Sequence, residues 1–143
     1  MCIRDSTSTA ADWAKIPIIP AYADKGILPS KGLEIGGNPK IGDSVYGLGH
    51  GLGLPMKMVY HGKVNENQIE NLDYFECDLD FFTGNSGSPI FDTVSHKVIG
   101  LLVRGEEKFD LKNDCLIHAI NLDGVQEGEE CQRLDFLKEP NFV

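Results

Sequence analysis

The chain has 143 residues, 41% hydrophobic and 24% charged, with 13 Lys+Arg against 22 Asp+Glu and a formal net charge of -9. That length suits one domain and excludes two of ordinary size. The acidic balance, without any Lys/Arg cluster, argues against nucleic acid as a partner, and no apolar run approaches the ~18 residues that span a bilayer, so no membrane partner is expected.

Residues 1–9 have neither the apolar core nor the small-residue cleavage site of a signal peptide, and are read as an incomplete or non-native leader. Asp12 to Ile19 reads as one short strand closed by Pro17 and Pro20, which lack the N–H a ladder needs, and residues 10–25 are taken with it as a separate remnant and linker. The main unit is expected over residues 26–143, entered through a loop with a small apolar insert at Leu33 and Ile35. Strands are predicted at 43–49 and 57–64 around a Gly-rich turn, then at 74–79, 88–92, 97–105 and 116–120, with a hairpin turn near Ser95-His96. Short runs at this spacing point to an antiparallel barrel or sandwich. In the tail, Cys131, Leu134 and Leu137 lie a helical turn apart, acids come first and Lys138 last, which predicts a C-terminal helix ended by Pro140.

Four cysteines, Cys2, Cys77, Cys115 and Cys131, form no CxxC pair and have no His at ligand spacing, so no metal is expected. A Cys115–Cys131 disulfide and a set of free buried thiols fit equally well. The glycines from Gly47 to Gly53 do not fit GxGxxG, and no Gly-Lys-Ser/Thr follows, so no nucleotide cofactor is expected.

One segment demands a chemical explanation. In Thr83-Gly84-Asn85-Ser86-Gly87-Ser88-Pro89, a Ser bracketed by glycines can ride a sharp turn with its hydroxyl exposed, while the N–H groups of Gly84 and Ser86 converge. Such a pair makes an oxyanion hole, each donor contributing ~3–4 kcal/mol to a transition state in comparable enzymes. A plain hairpin turn has the same composition.

The segment Gly84 to Phe91 resembles the nucleophile motif of chymotrypsin-like serine proteases, in the variant of the bacterial glutamyl-endopeptidase-like branch. Asp12-Trp13-Ala14-Lys15-Ile16 is similar to the stretch around that family's catalytic Asp. Gly49-His50-Gly51-Leu52-Gly53-Leu54-Pro55-Met56-Lys57 is similar to its bacterial glycine loop, and Val98 to Gly105 to the strand beside its specificity pocket. These matches run from Asp12 to Gly105 in family order. The resemblance implies an all-β chymotrypsin-like double β-barrel, here mainly the second antiparallel barrel with its C-terminal helix. It further implies a monomeric, secreted or periplasmic endopeptidase acting on polypeptide substrates without metal or cofactor.

Carried over by position, Ser86 is the nucleophile, Asp12 the orienting carboxylate, and Gly84 with Ser86 the oxyanion hole. The family's general-base His should precede Asp12, and none does: the four histidines are His50, His61, His96 and His118. The chain as it stands is therefore expected to be inactive or nearly so. Asn85 stands where many animal relatives carry an Asp that pairs with a new N-terminus, and a neutral amide cannot form that ion pair. For specificity, Asp80, Thr83, Val103 and Gly105 are the candidate pocket residues. Asp80, six positions before Ser86, hints at basic side chains before the cleaved bond, though Asp78 and Asp80 also fit the solvated face of a strand. The rival reading is a non-catalytic homologue that binds proteins, against which the retention of Ser86, Gly84 and Asp12 argues. A third is a small β-barrel binding domain with a chance Gly-Asn-Ser-Gly turn.

Overall fold

The computed structural model describes residues 32–66, 73–105, 109–113, 115–118 and 128–134. The strand expected at 12–19, with Asp12, lies outside the described residues, as do Cys2 and residues 135–143. Eight strands follow in order: β1 (Ser44–Gly49), β2 (Lys57–Glu66), β3 (Tyr74–Cys77), β4 (Pro89–Asp92), β5 (Val98–Arg104), β6 (Phe109–Lys112), β7 (Cys115–His118) and β8 (Glu129–Arg133). Six of them close into an antiparallel barrel in the order β1-β2-β3-β8-β5-β4, while β6 and β7 form a separate hairpin. Closure removes the open sheet edges that would otherwise invite pairing with another chain.

Alternation builds the barrel wall. Along β1, Val45, Gly47 and Gly49 are buried and Tyr46 and Leu48 are half-buried, the period of 2 expected of a strand with one face on a core. Val45, Val64, Phe75, Cys77, Leu79, Phe81, Ile90, Ile99, Leu102 and Cys131 make the main core. Space inside so small a barrel is made by glycine, since a Cβ at Gly100 would overlap the Phe75 ring and one at Gly47 the Phe81 ring. A second cluster lies around Phe91, Val98 and Leu134, with Tyr46 stacked on Phe91 at 4.9 Å between centroids. Ile35 bridges to Val98, tying the entering chain to β5. The predicted hairpin is present, with His96 at φ 56 and its N–H donating to the Asp92 carbonyl.

The C-terminal helix is corrected for residues 129–133. They form β8, hydrogen-bonded to β3 on one side and β5 on the other. Spacing of Cys131 and Leu134 suits a helix locally, but Cys131 points into the barrel while Leu134 joins the outer cluster. Two-sided backbone pairing outweighs a weak helical pattern. Buried Gln132 completes the seam, its Nε2 donating to the Asp73 carbonyl at 2.8 Å.

Cys131 does not approach Cys115. Its Sγ lies 3.7 Å from that of Cys77, both thiols free and buried, while Cys115 is free and exposed. Burial pushes the Cys131 thiol well above its ordinary range, and the Cys77 hydrogen bond and the neighbouring charges of Cys77, Glu129 and Glu130 push it the same way. A maleimide at pH 8 should therefore modify Cys115 and spare Cys77 and Cys131 until urea unfolds the chain, as read by peptide mass mapping. The folded state keeps the Cys131 proton longer than the unfolded chain does, so this thiol's contribution to stability is lost as pH rises above ~8.5, by up to ~1.4 kcal/mol per pH unit. Urea midpoints across that range measure it.

Candidate functional site

The turn that carries Ser86 joins the core residue Phe81 to β4, at the end of the barrel where β5 runs out. Two bonds hold it against β5: the Gly87 N–H donates to the Leu102 carbonyl at 2.7 Å, and the Leu102 N–H donates to the Ser88 carbonyl at 2.9 Å. Gly84 at φ 93 and Gly87 at φ 85 occupy the left-handed region on either side of Ser86, where a Cβ would be strained. Ser86 is exposed at the tip.

Asn85 is the turn's anchor. Only 5% exposed, it donates from its backbone N–H and its Nδ2 to the Phe82 carbonyl, the latter at 2.8 Å, and its own carbonyl accepts the Ser88 N–H at 2.9 Å. The glycine loop closes over it. A Cβ at Gly49 would overlap Asn85 Oδ1 and Ser88 Oγ, and one at Gly51 would crowd Asn85 Nδ2. The Leu52 N–H then donates to the Thr83 carbonyl at 2.9 Å, with Leu52 itself at φ 56. These glycines thus let two loops far apart in sequence share one wall. While the amides of Asn85, Gly87 and Ser88 are all used, those of Gly84 and Ser86 make no hydrogen bond among the described residues.

Thr83, Gly84, Ser86, Val103 and Gly105 line one cavity of about 180 Å³, and Glu129 lines it with them. Asp80 is exposed and is not among the lining residues. Asp12 lies outside the described residues, so its distance from Ser86 is not part of the geometry. Among the described residues no histidine lines the cavity: exposed His50 has its Nδ1 3.2 Å from the Leu54 carbonyl, His61 meets the Tyr60 ring edge-on, and His96 is 3.2 Å from the Tyr46 hydroxyl. His118 belongs to β7. A larger groove of about 540 Å³ lies beside Tyr46, Tyr60, His61 and His96, but it shares no residue with the Ser86 turn, so size does not mark the site. Among the described residues, no cluster of three or more His, Cys, Asp or Glu could hold a metal.

Phe81, Phe82, Arg104 and Glu129 also line the cavity and were not singled out in the sequence, and of these Glu129 lies farthest along the chain from Ser86. Its recognition needed the pairing of β8 with β3 and β5, and the local acidic pattern pointed instead to the start of a helix.

Replacing the anchor tests the turn. Asn85→Asp puts a buried carboxylate against the Phe82 carbonyl, where it can donate nothing while ionised, so it should cost ~1–3 kcal/mol near neutral pH. Burial raises such a carboxyl's pKa, so the loss should shrink as pH falls towards 4 and the group takes up a proton. Urea melts of the two proteins at both pH values check the sign.

The family model of the trypsin-like peptidase domain matches residues 3–101, over two thirds of the chain. No curated protein matches it.

Proposed function

The chain belongs to the trypsin-like peptidase domain family, and on that premise we propose that it is a serine endopeptidase sequence hydrolysing peptide bonds through an acyl-enzyme on Ser86. One observation carries the proposal: an exposed Ser86 on a cavity wall, between two left-handed glycines, with the nearby amides of Gly84 and Ser86 unused among the described residues.

In this reading a substrate carbonyl approaches the turn at Gly84, whose left-handed backbone, packed against the Leu52 amide, turns the chain there. Ser86 Oγ attacks the carbonyl carbon as its proton passes to a general base, and the amides of Gly84 and Ser86 receive the oxyanion. Collapse of the tetrahedral intermediate expels the amine, which takes the proton, and water then cleaves the ester by the same path reversed. Asp12 is proposed to orient the base. No His precedes Asp12 in the 143 residues, and none lines the cavity among the described residues, so these residues alone should turn over substrate slowly or not at all. Loss of one triad member costs ~10⁴–10⁶ in turnover in comparable proteases. The likeness of the 49–57 loop supports a place in the bacterial glutamyl-endopeptidase-like branch. We extend the proposal to a secreted or periplasmic monomer whose partners are polypeptide substrates.

A fluorophosphonate probe tests the nucleophile. Modification should map to Ser86, vanish in Ser86→Ala, and accelerate at least tenfold with added imidazole, which supplies a diffusible base. Modification confined to other hydroxyls, or none after prolonged exposure with imidazole, would favour the non-catalytic, protein-binding alternative.

A further inference from the structure

Two thiols occupy the seam where β8 joins β3, and the chemistry proposed above uses neither. Cys77 ends β3, and Cys131 is the third residue of β8. In the ladder Cys77 stands opposite Glu129 and Phe75 opposite Cys131, so the two cysteines are diagonal neighbours, and both belong to the main core. Both are wholly buried, and their sulfurs lie 3.7 Å apart although the residues are 54 positions apart in sequence. Weak thiol bonds hold them there: one between the two sulfurs, and one from Cys131 Sγ to the Glu129 carbonyl at 3.6 Å.

A disulfide brings its sulfurs to ~2.0 Å and keeps its Cα atoms within ~7 Å. Diagonal neighbours in a regular antiparallel pair are ~7–8 Å apart, so an even ladder would resist the bond. Here the ladders on both flanks are uneven beside the cysteines. The register of β2 on β3 shifts between Val64, which faces Cys77, and Glu66. That of β5 on β8 shifts between Leu102, which faces Cys131, and Arg104. Such irregularities sharpen the local twist, and twist draws one diagonal of a strand pair together. The sulfurs already touch, so a small slide of β8 along β3 suffices.

We propose that Cys77 and Cys131 are a redox couple that links β3 to β8, the disulfide forming as the chain folds in the presence of a small-molecule disulfide such as oxidised glutathione. One cysteine thiolate attacks a glutathione sulfur, releasing a first glutathione thiolate and leaving a mixed disulfide. The second cysteine thiolate then attacks the cysteine sulfur of that mixed disulfide and displaces the other glutathione. The two cysteines lose two protons and two electrons, and the oxidised glutathione becomes two glutathione thiols. Residues without exposed surface have no room for a glutathionyl group, so the mixed disulfide forms while β8 is away from β3, and closing the seam completes the exchange. The same burial then shields the link from reducing thiols. Joining positions 54 apart removes freedom from the unfolded chain, which stabilises the strand that closes the barrel. The free thiols described above are the reduced member of this couple, and the inference stands without the hydrolase reading.

Refolding tests it. The chain, reduced and unfolded in urea, is diluted into a buffer of oxidised and reduced glutathione, alkylated, and mapped by mass spectrometry without reduction. The peptides holding Cys77 and Cys131 should be joined, with a mass ~2 Da below their sum, while exposed Cys115 stays free or carries glutathione. Folded, reduced chain in the same buffer should form the link roughly tenfold more slowly, because the seam must open first. The linked chain should unfold at a urea concentration at least ~0.5 M higher than the reduced chain. Cys115→Ser should form the link unchanged, and Cys131→Ser should lose the dependence of its urea midpoint on the glutathione buffer. Absence of a Cys77–Cys131 link after refolding, preferential linkage of either residue to Cys115 or Cys2, or a linked chain less stable than the reduced one would each overturn the proposal. All three outcomes are read from the unmodified chain, so they hold whether or not the Cys131 variant folds.

Discussion

Closure of the barrel by β8 is the constraint on which the rest depends. One strand of five residues satisfies the open edges of both β3 and β5, and unpaired edge groups buried against a core would be costly. The same pairing drives Cys131 into the interior, buries Gln132 over the Asp73 carbonyl, and delivers Glu129 to Gly105. Fold closure and cavity chemistry therefore share a backbone register. A one-residue slip of β8 would exchange its faces, expose Cys131 and remove the carboxylate from the cavity.

The cavity depends on a second fit, between the glycine loop and the turn that carries Ser86. A hydroxyl on a strained turn is useful only if the turn cannot relax. Here restraint comes from buried amide chemistry: Asn85 fills the space that Gly49 and Gly51 leave, and the Leu52 N–H reaches the Thr83 carbonyl. On the other side, β5 holds Gly87 and Ser88 through Leu102. Ser86 is thus exposed while its immediate neighbours in sequence are held from two directions. The price of that rigidity is intolerance of side chains at Gly49 and Gly51, which would meet Asn85, and at Gly84 and Gly87, whose left-handed backbone they would strain.

Much of this fold was legible in the chain because strand signals are local. Alternation in β1, and the turn residues around Ser95, depend on neighbours within a few positions. The hairpin of β6 and β7 was only half read. Phe109-Asp110-Leu111-Lys112 alternates and is followed by Asn113, which takes φ 54, so the signal for β6 was present. β8 was different in kind. The spacing of Cys131 and Leu134 suits a helix, and only the vacancy between β3 and β5, a property of the assembled sheet, makes residues 129–133 a strand. The same limit affected the pocket. Asp80, six residues from Ser86, is exposed and off the cavity wall, whereas Glu129, forty-three residues away, lines it. Strand pairing removes that distance, and the backbone has no local mark that announces it.

The proposed chemistry divides unequally over the chain. The proposed nucleophile, the candidate oxyanion donors and the cavity wall all come from a single closed barrel, whose strands and loops restrain one another. The orienting carboxylate proposed at Asp12 lies far upstream, and no His of the chain precedes it. These two sets of groups contribute by different physics. Preorganised donors need only a rigid backbone and lower a barrier by ~3–4 kcal/mol each. A general base must lie within hydrogen-bond reach of Ser86 Oγ and contributes ~10²–10⁴ in rate by itself. Because the triad acts as a unit, however, its loss is felt as far more than that factor. On that proposal, the barrel's donors and cavity wall can bind a peptide independently of the base that cutting requires. Binding and turnover are separable properties here because their residues are held by different parts of the chain.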